Sequence, residues 1–352
     1  MSGVTGRQAD LAFAKFAVNS WGVAASVTKG IYFQSDGGLH LQPDIIDDDA
    51  FGQNFVESSE VGNIQAPSPS FSALSRFDDY TYIWDALAMG SPGAVTISTS
   101  AAGQVTSWRH QFDLADVIDG LGLTAAIEKV LFVEELTSAK VHGWDEEDGD
   151  RGLMRVTYKV TGSKTTNISS VNINSTVGGA TYPALGNRIM TRQGVFRMNK
   201  NSAIALAAGD AVKVEKLKFG WERPQDAPHV FGQDYVDEPA DSGFPTFELE
   251  VGYPRMNTVS ANSLYAGLRD ATAFKADWIF TGTFINSTDA YSKTYQFPYL
   301  QLEDYQAPLV GANQIKPKAT FKARMAPTSP AGMAFIRPFR MTRIMTQSVV
   351  AF

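Results

Sequence analysis

One short phrase occurs twice in the chain, and it limits what the chain can fold into. Phe51-Gly-Gln-Asn-Phe-Val-Glu57 returns as Phe231-Gly-Gln-Asp-Tyr-Val-Asp237, with four of seven positions identical, at an offset of 180. Self-similarity at a fixed spacing marks a repeated unit, and the surrounding pattern repeats too. Phe71-x-Ala73-x-Ser75-x-Phe77 alternates as a half-buried strand does, and Phe247-x-Leu249-x-Val251-x-Tyr253 does the same after the second phrase. Leu39-x-Leu41 precedes the first phrase as Phe219-x-Trp221 precedes the second. A helix follows each strand. Asp78 or Asp79 caps the first, which puts Tyr80, Ile83, Trp84 and Leu87 on one stripe and stops at Gly90. Asn257 or Ser260 precedes the second, with Ala261, Leu264, Tyr265 and Leu268.

Alternation and β-branching place further strands at 94–99, 104–112, 130–142 and 153–161, then at 203–208, 212–221, 274–285, 294–300 and 315–325. The polar stretch 161–176 reads as the linker. The expected fold is therefore mainly β: two tandem β-sandwich or barrel units, 1–165 and 166–352, each with one packed α-helix and one long loop.

With 44% hydrophobic residues and 19% charged, the 352-residue chain has material for a real core. Cysteine is absent, which excludes disulfides, thiolate metal sites and a cysteine nucleophile. Four histidines, at 40, 110, 142 and 229, fall singly, with no two at ligand spacing. No apolar run reaches the ~20 residues of a membrane-spanning helix, and the first residues make a poor signal peptide. A protein made in the cytoplasm, with no membrane partner, is the expectation.

The net charge of −7 argues against coating nucleic acid through bulk positive charge. It conceals an asymmetry: residues 305–352 hold seven cations and no acid, leaving 23 Lys+Arg against 37 Asp+Glu elsewhere. Opposite signs at separate places suit head-to-tail association, which makes Arg337, Arg340 and Arg343 candidate contacts with a neighbouring copy.

The acidic run Asp145, Glu146, Glu147, Asp148 has Gly149 where a calcium loop needs an oxygen ligand, so it reads as a hairpin tip. Asp44–Asp49 reads as a solvated loop. Gly120-Leu-Gly122 lacks the strand and the distant acid of a dinucleotide site and reads as a turn entering a short helix. No nucleophile elbow, phosphate loop or zinc-protease motif occurs, so neither catalysis nor a cofactor is expected. The repeated phrase lies in long loops and pairs aromatics around a glycine. Phe51, Gly52, Gln53, Asn54 and Phe55, with Phe231, Gly232, Gln233, Asp234 and Tyr235, are the candidate contacts between subunits.

In order, the chain carries Ala14-Lys-Phe16, Trp21–Ser35, Leu39-His-Leu41-Gln-Pro43, the first loop, the Phe71–Phe77 strand and the Tyr80–Met89 helix. This series resembles the tail tube (major tail) proteins of long-tailed bacteriophages of the non-contractile, siphovirus type. The resemblance covers about the first hundred residues, and the duplicate extends it. It implies a β-sandwich with a flanking helix, inner strands joined across subunits, and rings stacked into a tube that conducts double-stranded DNA as transiting cargo. Single-copy relatives use six subunits per ring; a doubled unit implies three chains. The location implied is the virion tail, and the implied partners are copies of itself, a tape-measure protein, and tail terminator and tail-tip proteins. Acids lining the lumen would repel phosphate, with Asp145, Glu146, Glu147 and Asp148 as candidates.

Two other readings fit the sequence. A tandem β-sandwich could bind a carbohydrate or receptor at a tail tip or fibre, stacking sugars on Trp21, Trp144 or Trp221. An enzyme with two converging carboxylates is the other.

Overall fold

The computed structural model describes residues 10–15, 21–35, 39, 44–48, 58–62, 67–90, 94–98, 106–129, 132–149, 152–168, 177–256, 264, 267–309 and 314–348. The strands of the first half are β1 (Asp10–Lys15), β2 (Lys29–Ile31), β3 (Phe33–Ser35), β4 (Asp44–Asp48), β5 (Ser58–Gly62), β6 (Ser70–Leu74), β7 (Ala94–Ser98), β8 (Ser107–Asp113), β9 (Leu123–Glu128), β10 (Val133–Asp148), β11 (Met154–Gly162) and β12 (Thr165–Ile168). Helix α1 (Thr81–Met89) follows β6. The second half adds β13 (Gly194–Lys200), β14 (Lys216–Glu222), β15 (Gln225–Asp226), β16 (Ala240–Asp241), β17 (Thr246–Gly252), β18 (Ala273–Phe284), β19 (Ala290–Gln306), β20 (Lys318–Ala323) and β21 (Arg340–Met345). The fold is mainly β, and its strand ladders are antiparallel. No helix among the described residues is long and apolar enough to cross a membrane.

The strands build one eight-stranded sheet in the order β3, β6, β11, β10, β14, β17, β20, β19. Its first four strands come from the first half and its last four from the second. Alternate residues face the core. Met154, Val156 and Tyr158 on β11 are buried, as are Leu217, Phe219 and Trp221 on β14 and Ala319 and Phe321 on β20. The residues between them are partly exposed, the period of two that a half-buried sheet requires.

A second layer hangs on the two long strands. β10 continues into β9, β1 and β2 on one side and β12 on the other. β19 continues likewise into β18 and β13, with β21, β8 and β7 on its other side. β11 and β20 also share a phrase, Val156-Thr-Tyr-Lys159 and Ala319-Thr-Phe-Lys322. The first-half strand that pairs with β6 is β3; Leu39 is buried outside it, and His40 and Leu41 lie outside the described residues.

The two halves share one interior. A single apolar cluster runs from Leu11 to Met345. Trp144 of β10 meets Trp221 of β14 edge to face at 4.9 Å, and Phe339 contacts both indoles as well as Phe219 and Phe247. Helix α1 is buried along its whole length, with Trp84 against Phe13, Phe71 and Tyr158. Asp79 accepts from the Thr81 backbone N–H at 3.2 Å, and Gly90 ends the helix in the left-handed conformation (φ 69°), as expected for this punctuation. Of the second expected helix, Leu264 and 267–269 are helical, while Ala261 and Tyr265 lie outside the described residues.

Several expectations need correction. The boundary at 165/166 falls on the first residue of β12, and most of the expected linker up to Ile168 is strand, because its Thr-rich sequence pairs with β10. Segment 203–208 is turns rather than strand; its alanines have little to pack, and Ile204 is exposed. Asp44–Asp48 is a strand paired with β5 rather than a loop. The turn at Gly120 leads into β9, not a helix.

At Gly143 the backbones of the two halves approach closely. β10 is irregular between Val141 and Gly143, and a Cβ at Gly143 would lie 2.2 Å from the Trp221 carbonyl oxygen. Gly143→Ala should therefore lower unfolding free energy by about 1–3 kcal/mol in denaturant titration. Gly209→Ala, where nothing lies within 4 Å, should be near neutral. Equal stability of the two variants would show that the ladder yields without cost.

Candidate functional site

The second copy of the repeated phrase lies in the long connection from β14 to β17, and the sequence explains how that connection is held. Its root is the β15–β16 pair. Arg223, 1% exposed, donates to Asp241 at 2.9 Å and to the carbonyls of Ala115 and Asp116. Lys140 of β10 is fully buried, donates to the Pro239 carbonyl at 2.6 Å and pairs with Glu238 at 2.9 Å. Glu238 also accepts from the Gly120 N–H at 2.7 Å, and Trp21 donates its indole N–H to the Val236 carbonyl at 2.9 Å. Tyr235 packs over Gly22, with the Lys164 ammonium 4.9 Å from its ring. First-half residues thus clamp the loop's root.

The tip is unsupported. Val230 to Gln233 form a turn with Gly232 at φ 86°, and Gly232, Gln233 and Asp234 are exposed. Phe231 is 106% exposed and Phe244, nearer the root, 95%. An aromatic held out on a clamped loop is shaped for insertion into another surface. Of the ten loop candidates, the structure places Phe231, Gly232, Gln233 and Asp234 at this tip and Tyr235 at its base. Phe51, Gly52, Gln53, Asn54 and Phe55 lie outside the described residues.

The three arginine candidates turn inward to this chain. Arg337 pairs with Asp116, whose carboxyl it holds below the usual range through its hydrogen bonds. Arg340 makes a bidentate pair with Asp113 at 2.5 and 3.0 Å and stacks on Phe335. Arg343 is fully buried. It donates to Asp85 at 2.8 Å, Asp79 at 2.9 Å, the Thr81 hydroxyl at 3.0 Å and the Arg76 carbonyl at 2.8 Å. Arg343 is thus not available to a neighbour. Burial opposes its charge, but the Asp79 and Asp85 carboxylates outweigh that and raise its pKa. Lys316, Lys318 and Lys322 pair with Glu215, Glu250 and Glu303. Six of the seven cations counted in the sequence are thus matched within the chain, because their segment folds as β20 and β21 among acid-bearing strands.

The acidic run is corrected as well. Asp145 to Asp148 are the last residues of β10, not a hairpin tip. Asp145, Glu147 and Asp148 are half-buried, with Asp145 3.4 Å from Lys159. Glu146 points the other way, into the core, where it meets Lys293 at 2.7 Å, the Ser75 hydroxyl at 2.7 Å and the Tyr295 hydroxyl. It cannot face a lumen. The polar face of the eight-stranded sheet carries both signs: Lys159 of β11 reaches across β10 to Glu222 of β14 at 2.9 Å, and Lys318 of β20 bonds Glu250 of the adjacent β17 at 2.7 Å.

Trp144 and Trp221 are 0% and 1% exposed, so neither can stack on a sugar, and Trp21 is half-buried. A groove of about 730 Å³ runs beside the loop root, lined by Leu114, Phe244, Phe247 and Met325. Its acids, Asp116 and Asp241, are each bonded to an arginine. No cluster of three or more metal-ligating side chains occurs among the described residues.

Glu146 is pushed up by burial, but the Lys293 charge and three hydrogen bonds more than reverse this and leave its pKa depressed. Its stabilisation is therefore complete above the unfolded value of ~4.3 and is lost as pH falls through the lower folded value. Glu146→Gln strands the buried Lys293 and should cost about 3–5 kcal/mol at pH 7. The gap to wild type should narrow in unfolding titrations below about pH 4. A variant as stable as wild type at pH 7 would show that Lys293 finds another partner. Compared with protein-family models and with curated sequences, the chain finds no match.

Proposed function

We propose that the chain is a structural, self-assembling subunit: a doubled tail-tube unit of a long-tailed, non-contractile phage. Three copies close a ring, and stacked rings form the conduit for double-stranded DNA. The observation that carries this reading is the eight-stranded sheet, in which β3, β6, β11, β10 and then β14, β17, β20, β19 pair in the same order. The two blocks are read as copies of one unit, and their join through β10 and β14 as a sample of how further units join. The protruding Phe231 supports contact between rings. No reaction is assigned.

The polar face of the sheet is the channel wall in this reading. With Lys159, Lys318 and Lys322 already matched by carboxylates, such a wall is hydrated and nearly balanced in charge rather than uniformly acidic. DNA would pass because these cations are not free to bind phosphate and release its counterions. The tape-measure, terminator and tail-tip proteins remain the further partners, the virion tail the location, and the host cytoplasm the place of assembly.

Negative-stain microscopy of the purified protein should show rings or tubes with a central hole. A 38.2 kDa monomer at every concentration would overturn the reading. Phe231→Ser should leave thermal unfolding unchanged while shortening tubes to single rings. Tubes of normal length would remove the loop from the stacking contact.

A further inference from the structure

We propose that Arg76 and Arg188 form a binding site for a tetrahedral dianion, the chemistry of inorganic phosphate or of a phosphomonoester. The site lies within one chain and does not depend on the ring reading above.

The backbone sets the two arginines face to face. Arg76 follows β6 and pairs with Arg188 in an isolated antiparallel bridge. The Phe77 N–H donates to the Asn187 carbonyl at 2.8 Å, and the Ile189 N–H to the Ser75 carbonyl at 2.9 Å. Those two bonds flank the pair rather than join it. Arg76 and Arg188 therefore occupy the closer kind of antiparallel position, ~4.5 Å between Cα atoms, with both side chains on one face. Like charges directly opposite one another destabilise a sheet. Gly186 (φ 149°) and Asn187 (φ 49°) bend the chain just before the bridge, and Arg76 donates to the Gly186 carbonyl at 2.8 Å.

No carboxylate answers the two charges. Buried Arg223 has Asp241, and buried Arg343 has Asp79 and Asp85. Arg76 is only 5% exposed, yet neither it nor exposed Arg188 has an ion pair among the described residues. The acid whose charge reaches Arg76 is Asp79, which is already bonded to Arg343 and Thr81. Burial pulls the Arg76 pKa down, Asp79 opposes this, and the Arg188 charge lowers it further. The Arg76 Nε is buried without a hydrogen-bond partner among the described residues. The Tyr32 ring lies 5.4 Å from the Arg76 guanidinium.

The geometry fits an oxyanion. Guanidinium forks hold phosphate oxygens through paired N–H donors. An anion between the two side chains turns their repulsion into attraction. Two fixed positive charges are neutralised by one dianion, whereas a carboxylate or a phosphodiester carries a single charge and leaves one of them unmatched.

Thermal unfolding of the full chain, followed by circular dichroism, tests the site in wild type, Arg188→Gln and Arg188→Glu. Arg188 is exposed, so both variants should fold. At low salt without added anion, both should melt above wild type, Arg188→Glu the higher because it gives Arg76 a partner. Phosphate also stabilises proteins in general through exclusion from their surface, so binding is read as the shift in wild type beyond that in Arg188→Gln. At about thirty times the Kd for phosphate, this excess should be about 2–3 °C. Phenyl phosphate separates the two sources: an equal excess means that the dianion alone is recognised, and a larger one that Tyr32 adds contact with the ester. Equal shifts in wild type and Arg188→Gln, or variants that melt below wild type without anion, would overturn the site. The same excess from acetate, or an excess from a short DNA duplex but none from phosphate, would overturn the dianion.

Discussion

At Gly143 the backbone of β10 lies so close to the Trp221 carbonyl that no side chain fits between them, and the two halves are joined along that line. The close approach lets five consecutive residues of β10 pair with β14. It also sets Trp144 and Trp221 edge to face, with Phe339 from the end of the chain against both. A flexible linker between two domains would leave each with a core and surface of its own. Here a ladder replaces the linker, and the interior is continuous across it.

Charge follows the same plan. Arg343 of the second half neutralises Asp79 and Asp85 of the first, and Glu146 of the first neutralises Lys293 of the second. Buried pairs of this kind add little net stability over apolar packing, but each is costly to break from one side. Each bridges the two halves through a fully buried charge. Electrostatic complementarity that the sequence offers to a partner is largely spent within the chain, whereas Phe231 and Phe244 stay exposed.

Where side chains obey the period of two, the sequence was legible: 94–99, 153–161, 212–221 and 274–285 lie close to β7, β11, β14 and β18. It failed where a charged residue occupies an inward position. Arg340-Met-Thr-Arg-Ile-Met345 alternates, yet Arg343 sits on the buried side and hides the strand until Asp79 and Asp85 are seen waiting for it. The end of β10 was hidden likewise, because the partner of Glu146 is Lys293, 147 residues away. Of the candidate site, the loop aromatics were legible as a repeated phrase. The clamp at Lys140 and Arg223 was not, since half of its acceptors are backbone carbonyls that no residue pattern reports.

The position of Arg343 in the chain bears on synthesis. Helix α1 and its two carboxylates are complete near residue 90, but their counter-charge, Arg343, is made 258 residues after Asp85. Until it emerges, burying Asp79 and Asp85 is strongly unfavourable, so a nascent first half has no finished interior to close around. β21, the last of the described strands, completes the packing of the helix made near the start.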